Sequence, residues 1–303
     1  IMDAARAIMN KEGHLYIAGG VESMTRAPFV IPKSDEAFSR NAQIYDTTLG
    51  WRFLNSALST VYHPYSMGET AENVARKWGI TRERQDEFAL RSQQKYHLAD
   101  EAGRFKEELI LVPVPQPKGE TVVFDKDEHP RLTSLEKLAL LKPAFGENGT
   151  VTAGNSSGIN DGAAASLLAS EEALRRYSLK PLARVAGMAI AGVDPAFMGV
   201  GPVPATKKLL KRAGLRVSDI GLFELNEAFA SQSVACIQDL ELDPELVNVN
   251  GGAIAIGHPL GCSGARISAT LIYEMQKRKV KYGVATMCIG VGQGAAVLYE
   301  AAF

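Results

Sequence analysis

Strand-like and helix-like segments alternate through the C-terminal part of the sequence, and this alternation constrains the fold more than any other feature. In order, the predicted elements are strand 182–193, helix 205–213, strand 220–225, helix 228–240, strand 246–249, helix 265–278, and strands 282–287 and 295–299. Gly214 follows the first of these helices as the usual left-handed stop. Strands that alternate with helices predict an α/β fold with a largely parallel sheet.

An internal repeat adds a second constraint. The glycine-rich segment 158–164 (Gly-Ile-Asn-Asp-Gly-Ala-Ala) resembles 290–296 (Gly-Val-Gly-Gln-Gly-Ala-Ala), and each leads into an apolar strand. The helix and strand predicted over 1–20 likewise resemble the helix and strand over 265–287. Two similar motifs in the same order predict a fold built from two similar halves.

The first copy of the repeat carries a long insertion, roughly 24 to 157, and lacks the elements that precede the last helix of the second copy. We therefore expect a first half that is truncated at its N-terminus. The expected boundaries are 1–23 for the remnant of the N-terminal half (helix and strand), 24–157 for an inserted loop domain covering the active site, 158–172 for the last strand of that half, and 173–303 for the C-terminal half.

Composition narrows the classes of partner. Lysine and arginine number 33 against 34 acidic residues, for a net charge of −1, which predicts neither a nucleic acid nor a membrane as partner. The sequence has no run of apolar residues long enough for a transmembrane helix. Its three cysteines are read as reduced thiols. The expected location is the cytoplasm, with organellar targeting left open because the chain opens at Ile1.

Cys288 is the first candidate for chemistry. It ends a predicted strand and precedes a turn that contains Gly290, Gly292 and Gly294. Glycines let backbone N–H groups turn toward a bound oxygen, which is how an oxyanion hole is built. A lone cysteine is more often a small buried thiol, but the glycine turn favours a functional role.

His258 is the second candidate. It lies between Gly257 and Pro259 in a glycine-rich loop rather than on an apolar helix face. Proline fixes the backbone there, and an imidazole held in this way can activate a thiol, carry a proton or donate to a carbonyl oxygen. A hydrogen-bonded loop histidine without chemistry is the simpler alternative.

Asn226 follows a predicted strand and precedes a helix, so the residues alone favour a role as the helix N-cap. An amide in this place could equally hold a catalytic water. Cys262 and Cys236 are most simply structural. Because no cysteine pair has CxxC spacing and no histidine pair has HExxH spacing, we expect no metal site.

Motifs along essentially the whole chain together resemble those of the thiolase family, and most closely the degradative 3-ketoacyl-CoA thiolases. Three C-terminal motifs carry the resemblance: Asn-Glu-Ala-Phe-Ala at 226–230, the Asn-Gly-Gly-Ala…Gly-His-Pro…Gly-Ala-Arg block over 250–266, and Cys-Ile-Gly-Val-Gly-Gln-Gly at 288–294. Further matches are Gly-Gly-Val-Glu-Ser-Met at 19–24, Ser-Met-Gly-Glu-Thr-Ala-Glu at 66–72, and Val-Thr-Ala-Gly-Asn-Ser-Ser-Gly-Ile-Asn-Asp-Gly at 151–162.

The resemblance implies a five-layered αβαβα fold of two similar halves, with a loop domain inserted in the first. It implies CoA-dependent cleavage of a 3-ketoacyl-CoA to acetyl-CoA and a shortened acyl-CoA, or the reverse condensation. CoA and acyl-CoA are then substrates and no further cofactor is expected. It also implies a homodimer or homotetramer and a place in fatty acid metabolism through β-oxidation. The acyl chain length and the direction of the reaction stay open.

The resemblance further implies roles for four catalytic residues. Cys288 matches the acid/base cysteine that protonates the leaving enolate and deprotonates the incoming thiol. His258 matches the histidine that activates the nucleophile and helps to bind a thioester oxygen. Asn226 matches the residue that holds a water at that oxyanion site, and the N–H of Gly290 matches the second oxyanion site.

Four more residues match positions that bind substrate. Ser157 and Phe229 match positions near the pantetheine of CoA, and Ala228 belongs to the same group. Met67 lies in a motif that approaches the acyl end.

One departure from the family is serious. Members carry the acylated cysteine in a Cys-Gly-Ser-type segment just before the helix that begins here at about Ile1, and these 303 residues contain no such segment. Because covalent catalysis divides one hard step into two, we expect very little activity from this chain. Without the preceding strands, we also expect strands 15–20 and 163–169 to have exposed edges and an open apolar face.

Three alternatives follow. A ketoacyl synthase or hydroxymethylglutaryl-CoA synthase is disfavoured, because such enzymes replace the cysteine that Cys288 matches. A non-catalytic acyl-CoA-binding or scaffold subunit is favoured by the missing nucleophile. A piece of an ordinary enzyme of the family is the interpretation that we favour most.

Overall fold

The structure is a computed structural model that describes residues 1–117 and 119–302. Its helices are α1 (Met2–Met9), α2 (Ser56–Val61), α3 (Met67–Trp78), α4 (Arg82–Glu101), α5 (Leu135–Ala139), α6 (Glu171–Tyr177), α7 (Pro202–Ala213), α8 (Ala230–Asp239), α9 (Ala253–Ile256) and α10 (Leu260–Arg278). Within the described residues, none of these helices combines the length and the apolar character that a membrane crossing requires.

In the described part of the chain, the strands form one four-stranded sheet and three two-stranded sheets. They are β1 (Leu15–Glu22), β2 (Phe29–Val30), β3 (Tyr45–Asp46), β4 (Val112–Pro115), β5 (Thr121–Phe124), β6 (Gly162–Ala169), β7 (Ala183–Gly192), β8 (Leu222–Leu225), β9 (Tyr282–Ile289) and β10 (Gln293–Ala301).

The four-stranded sheet has the order β7-β10-β9-β8, and only β8 and β9 are parallel. Strand β10 is antiparallel to both β7 and β9. The prediction of a largely parallel sheet is therefore wrong. Residues 290–292 are all that separate β9 from β10, and a turn this short allows only an antiparallel hairpin, because parallel neighbours need a long crossover.

The strand predicted over 246–249 is also absent. Val247 forms only an isolated bridge with Phe223, and Asn248 has a left-handed backbone with φ of 46°. The Asn248 side chain takes the place of a strand: its Oδ1 accepts from the N–H of Leu225 at 2.8 Å, and its Nδ2 donates to the Leu225 carbonyl at 2.8 Å. A side-chain amide thus satisfies backbone groups that a ladder would otherwise pair.

The repeat seen in the sequence is present as two similar halves. Helix α1 leads into β1, which pairs antiparallel with β6 from Leu15↔Ala169 to Glu22↔Gly162. Helix α10 leads into β9 in the same way, and β9 pairs antiparallel with β10. Among the described strands, β1 and β6 pair only with each other, and Ile17 and Val21 on β1 are 80% and 73% exposed.

Helix α10 is the central layer between the β1–β6 sheet and the four-stranded sheet. It contacts β1 and β6 on one side and β8 and β9 on the other. Its apolar stripe of Ile267, Leu271 and Met275 is almost fully buried against Leu222 and other residues of the four-stranded sheet. Helix α7 covers the opposite face of that sheet, so helical and sheet layers alternate.

The segment before β6 packs two long helices on the C-terminal half. Helix α3 begins with a capping box between Ser66 and Glu69, and it contacts α8. Helix α4 contacts both α8 and α9. The Ser231 hydroxyl donates to the Ala71 carbonyl at 3.0 Å, which fixes α8 against α3.

A buried contact between Glu224 and Arg266 joins β8 to the central helix. Glu224 Oε2 lies 3.9 Å from an Arg266 guanidinium nitrogen, and the Glu224 side chain is 4% exposed. Burial raises the pKa of the Glu224 carboxyl to about 8, and the charge of Arg266 only partly opposes this shift. The carboxyl is therefore largely protonated below that pH.

We expect the substitution Glu224→Gln to flatten the pH dependence of stability between about pH 4.5 and pH 8. In that window the folded carboxyl holds a proton that the unfolded one has lost. The free energy of unfolding therefore falls as pH rises, by up to about 1.4 kcal/mol per pH unit. Urea unfolding at several pH values measures the slope, with Glu171→Gln on the surface as control. Equal slopes for wild type and Glu224→Gln would contradict the expectation.

Candidate active site

The ends of the parallel strands β8 and β9 bring two candidate residues to one edge of the sheet. Asn226 directly follows β8, and its backbone N–H donates to the Thr286 carbonyl at 3.0 Å. Cys288 lies two residues further along β9. Asn226 is 1% exposed and Cys288 is 6% exposed. Strand ends of this kind are where α/β sheets place ligands.

Asn226 is not the N-cap of the following helix, so that interpretation is wrong. Helix α8 begins at Ala230 with Phe229 as its N-cap. Asn226 lies three residues earlier, and its Nδ2 instead lies 3.2 Å from Nε2 of His258. Its Oδ1 is buried without a hydrogen-bond partner among the described residues. The amide therefore faces the histidine and keeps a free acceptor.

His258 is held in place through its backbone. Gly257 has φ of +109°, and a side chain on it would overlap with the amide of Asn160. The Asn160 Oδ1 accepts from the His258 N–H at 3.3 Å. Asn160 comes from the glycine-rich turn of the first half, so the repeat supplies a residue that supports the histidine of the second half.

The chain directly after His258, which is the histidine loop and the first residues of α10, contacts β1. The N–H of Gly261 donates to Oε2 of Glu22 at 3.0 Å. A side chain on Gly20 would overlap with the carbonyl oxygen of Gly261, because the two backbones touch there. The loop therefore rests directly on the first half of the fold.

Ser263 contacts the other ring nitrogen of the histidine. Its Oγ lies 2.6 Å from Nδ1 of His258 and 2.9 Å from the carbonyl oxygen of Pro259. The sequence analysis missed Ser263, because the helix was predicted to start at 265 whereas α10 starts at Leu260. Glycines at 261 and 264 weaken the helical pattern, and the earlier start places Ser263 in the first turn, beneath the ring.

Burial makes both titratable candidates neutral. Burial, together with the nearby charge of Arg266, lowers the pKa of His258 to about 4. It raises the pKa of the Cys288 thiol to about 12. At neutral pH the site thus holds an uncharged imidazole and an uncharged thiol.

Substrate-binding candidates surround the thiol. Ala228 packs with Cys288 in a small apolar cluster, against which Met67 and Phe229 are partly buried. The N–H of Ser157 donates to the Ala228 carbonyl at 3.0 Å. The structure therefore brings together the four residues that the sequence suggested for substrate binding, next to Cys288.

Gly290 lies in the hairpin turn that follows β9. No atom lies within 4 Å of the position that a side chain on Gly290 would occupy, so this part of the turn faces open space. Val291 has φ of 65° and Gly292 has φ of 84°. A β-branched residue in the left-handed region is strained, and such strain is concentrated at functional sites.

Glu227, a buried residue not singled out from the sequence, connects the segment after β8 to α4, to Asn248 and to α9. Glu227 accepts hydrogen bonds from the Ser92 hydroxyl at 2.7 Å, the Asn248 amide at 2.7 Å and the Ile254 N–H at 3.1 Å. Burial raises its pKa. A side chain on Gly252 would overlap with this carboxylate. No periodicity reveals such a residue, because its partners are distant in sequence.

The other two cysteines are also buried. Cys236 on α8 is fully buried in the main apolar core, and Cys262 on α10 is 2% exposed. All three cysteines are unpaired thiols.

We expect alkylation of Cys288 to become faster with pH well beyond the range of an ordinary thiol, because only the thiolate reacts and burial disfavours it. The measurement is the rate of iodoacetamide labelling by intact mass, in a Cys236→Ala/Cys262→Ala background. The same protein unfolded in urea is the control and should level off near the ordinary cysteine pKa of about 8.5. A folded-state rate that levels off below about pH 9 would contradict the expectation.

Two family models match the chain. The model described as "Thiolase, N-terminal domain" matches residues 1–172, and the model described as "Thiolase, C-terminal domain" matches residues 179–301.

Individual proteins match over almost the whole chain. The Beta-ketoadipyl-CoA thiolase of Acinetobacter baylyi is 54% identical over 300 residues, which cover 98% of this chain and 75% of that protein. The Acetyl-CoA acetyltransferase of Allochromatium vinosum is 50% identical over 298 residues, with 98% and 75% covered. A crystal structure of human mitochondrial 3-ketoacyl-CoA thiolase in complex with CoA superposes with a TM-score of 0.91 at 43% identity, covering 99% of this chain and 74% of that one.

Proposed function

The chain belongs to the thiolase family, and on that premise we propose that its residues carry the proton-transfer and thioester-binding steps of CoA-dependent 3-ketoacyl-CoA cleavage, or of the reverse condensation. The resemblance seen in the sequence motifs is thereby confirmed, as is the fold of two similar halves. As a member of this family, the protein is an acyltransferase.

One observation carries the proposal. Asn226, His258 and Cys288 come from three separate segments: Asn226 follows β8, Cys288 lies near the end of the neighbouring β9, and His258 lies between α9 and α10 with its Nε2 3.2 Å from Nδ2 of Asn226. The proton donor and the oxygen-binding groups of an enolate-forming reaction must be neighbours of this kind.

Cys288 is proposed to supply a proton and later to recover one. In cleavage, a thiolate attacks the C3 carbonyl of the 3-ketoacyl-CoA, the C2–C3 bond breaks, and the electron pair leaves on C2 as the enolate of acetyl-CoA. The Cys288 thiol, kept protonated by its raised pKa, gives its proton to C2. The resulting thiolate is a strong base and takes the proton of the incoming CoA thiol. The CoA sulfur then attacks the acyl thioester formed on the first sulfur, and the first sulfur leaves as a thiolate.

His258 is proposed to take the proton of the attacking thiol on Nε2 and then, as a cation, to donate to the thioester oxygen. Its low pKa keeps it unprotonated beforehand. The free Oδ1 of Asn226 supports the proposal that this residue holds a water at the same oxygen. The open turn at Gly290 supports its N–H as the second oxyanion site.

The proposed substrate is a CoA thioester whose pantetheine passes Ser157, Ala228 and Phe229 and whose acyl end approaches Met67. A relative at 54% identity is named for β-ketoadipyl-CoA, so we propose 3-oxoadipyl-CoA as the first substrate to test, followed by acetoacetyl-CoA. A role in fatty acid β-oxidation is a second proposal, and it rests on the family resemblance alone.

A homodimer or homotetramer in the cytoplasm is also proposed. This assembly is the one that the resemblance to the family implies. Three unpaired cysteines support a reducing compartment.

We propose that a polypeptide limited to these 303 residues turns over very slowly, because its three cysteines are Cys236, Cys262 and Cys288 and none of them matches the acylated position. We expect acetoacetyl-CoA thiolysis at the background rate and an intact mass that stays at 32.6 kDa after exposure to acetoacetyl-CoA. An acetyl adduct that survives Cys288→Ala, or robust thiolysis, would show that a nucleophile is present after all.

Solvent deuterium exchange at C2 of acetyl-CoA tests the proton-transfer proposal without requiring that nucleophile. We expect exchange that becomes faster with pH, since Cys288 must be a thiolate to accept a proton, and that falls to background in Cys288→Ala. Equal exchange in both proteins would contradict the role of Cys288.

The same experiment distinguishes the alternative of a non-catalytic acyl-CoA-binding or scaffold subunit. Such a subunit would bind acetyl-CoA in a calorimetric titration but would show no exchange in either protein.

A further inference from the structure

The two ring nitrogens of His258 have different partners. Nδ1 lies 2.6 Å from Oγ of Ser263, and Nε2 lies 3.2 Å from Nδ2 of Asn226. A neutral imidazole has one N–H donor and one lone-pair acceptor, so these partners decide which nitrogen carries the proton.

Two placements of the ring proton would satisfy both nitrogens of His258. In the first, Nδ1–H donates to Ser263 and Nε2 accepts from the Asn226 amide. In the second, the Ser263 hydroxyl donates to Nδ1, and Nε2–H donates to the amide oxygen of a rotated Asn226. Because rotation exchanges the oxygen and nitrogen of an amide, Asn226 can serve either arrangement. Ser263 is therefore the residue that determines which nitrogen of His258 carries the proton.

The hydroxyl proton of Ser263 is already engaged. Its Oγ lies 2.9 Å from the carbonyl oxygen of Pro259, which is a hydrogen-bond distance between two oxygens. Two oxygen acceptors this close repel each other unless a proton lies between them, and a hydroxyl has only one. Ser263 is 0% exposed, so no bulk solvent competes. Oγ is left to accept, and the partner that donates to it is Nδ1–H.

We propose that Ser263 is a positioning residue that holds His258 in the Nδ1–H tautomer, so that the ring lone pair lies on Nε2, where it accepts from the Asn226 amide until it takes a proton. The use of that lone pair rests on the acyl-transfer function proposed above, whereas the tautomer itself does not. An acceptor at Nδ1 also makes Nε2 more basic. It thereby partly offsets burial and the charge of Arg266, which both disfavour the imidazolium that forms when Nε2 takes a proton.

The test is a long-range ¹H–¹⁵N spectrum of the full chain with ¹⁵N-labelled histidine near pH 7, in which His258→Gln identifies the signals of this ring. We expect the wild type to show a protonated Nδ1 and an unprotonated Nε2. In Ser263→Ala, Asn226 can rotate and accept from Nε2–H, so we expect the pattern to reverse or to become a mixture.

Ser268→Ala is the matched control. Ser268 lies on the same helix, is 2% exposed, and donates to the Gly264 carbonyl four residues earlier at 2.8 Å, just as Ser263 does to Pro259. Among the described residues, the Ser268 hydroxyl makes no hydrogen bond to the His258 ring, and we expect the wild-type pattern to persist in this variant.

Two results would overturn the proposal: a wild-type ring with its proton on Nε2, or a Ser263→Ala protein that keeps the proton on Nδ1. The first decides the question even if the variant does not fold. No substrate enters the experiment, so a failure of the acyl-transfer proposal would leave the spectra unchanged. Conversely, a wrong tautomer assignment would not alter the deuterium exchange expected of Cys288.

Discussion

The arrangement of the site depends on one buried carboxylate. Glu227 follows Asn226 directly and accepts hydrogen bonds from the inserted helix α4, from the segment between α8 and α9, and from the first turn of α9. A carboxyl buried in this way is costly unless its oxygens are satisfied, so the three donors must stay in place together. Asn226 precedes Glu227 directly in the chain, and His258 follows helix α9, whose Ile254 N–H donates to Glu227. The Glu227 carboxyl therefore fixes Asn226 and His258 relative to each other.

Burial then sets the chemistry by acting in opposite directions on two groups. Loss of water disfavours charge on any group, so it lowers the pKa of the His258 imidazole and raises that of the Cys288 thiol. The resting site carries no charge on either residue. Charge would arise only as a proton moves, in surroundings of low polarity where fixed hydrogen-bond donors act strongly.

The sequence allowed much of the fold to be predicted where local signals are strong. Helix α7, predicted over 205–213, ends at Gly214 as expected, and the motifs led to Asn226, His258 and Cys288. Sheet order was not predictable in the same way. The antiparallel β10 follows from a three-residue turn, and the missing strand at Asn248 follows from one side-chain amide that bonds to β8.

The residues that the sequence analysis missed are those that act through partners far away in the chain. Asn160, Glu227 and Ser263 are ordinary polar residues with no periodicity, and their importance appears only when distant loops meet. Ser263 was also hidden by two glycines that made the start of α10 look like a loop. Motif matching found the reactive groups, whereas three-dimensional contacts were needed to find what holds them.

The contact between Gly20 and Gly261 has a consequence for how such a molecule can change over generations. The carbonyl of the histidine loop occupies the space of any side chain at position 20, and Glu22 binds the N–H of the same residue. A duplicated gene leaves two copies that are free to diverge, but here a mutation in one copy displaces the reactive group of the other. The two halves must therefore evolve together. In a chimaera that joins halves from distant relatives, the contact of β1 with Gly261 would no longer fit, and His258 would be displaced.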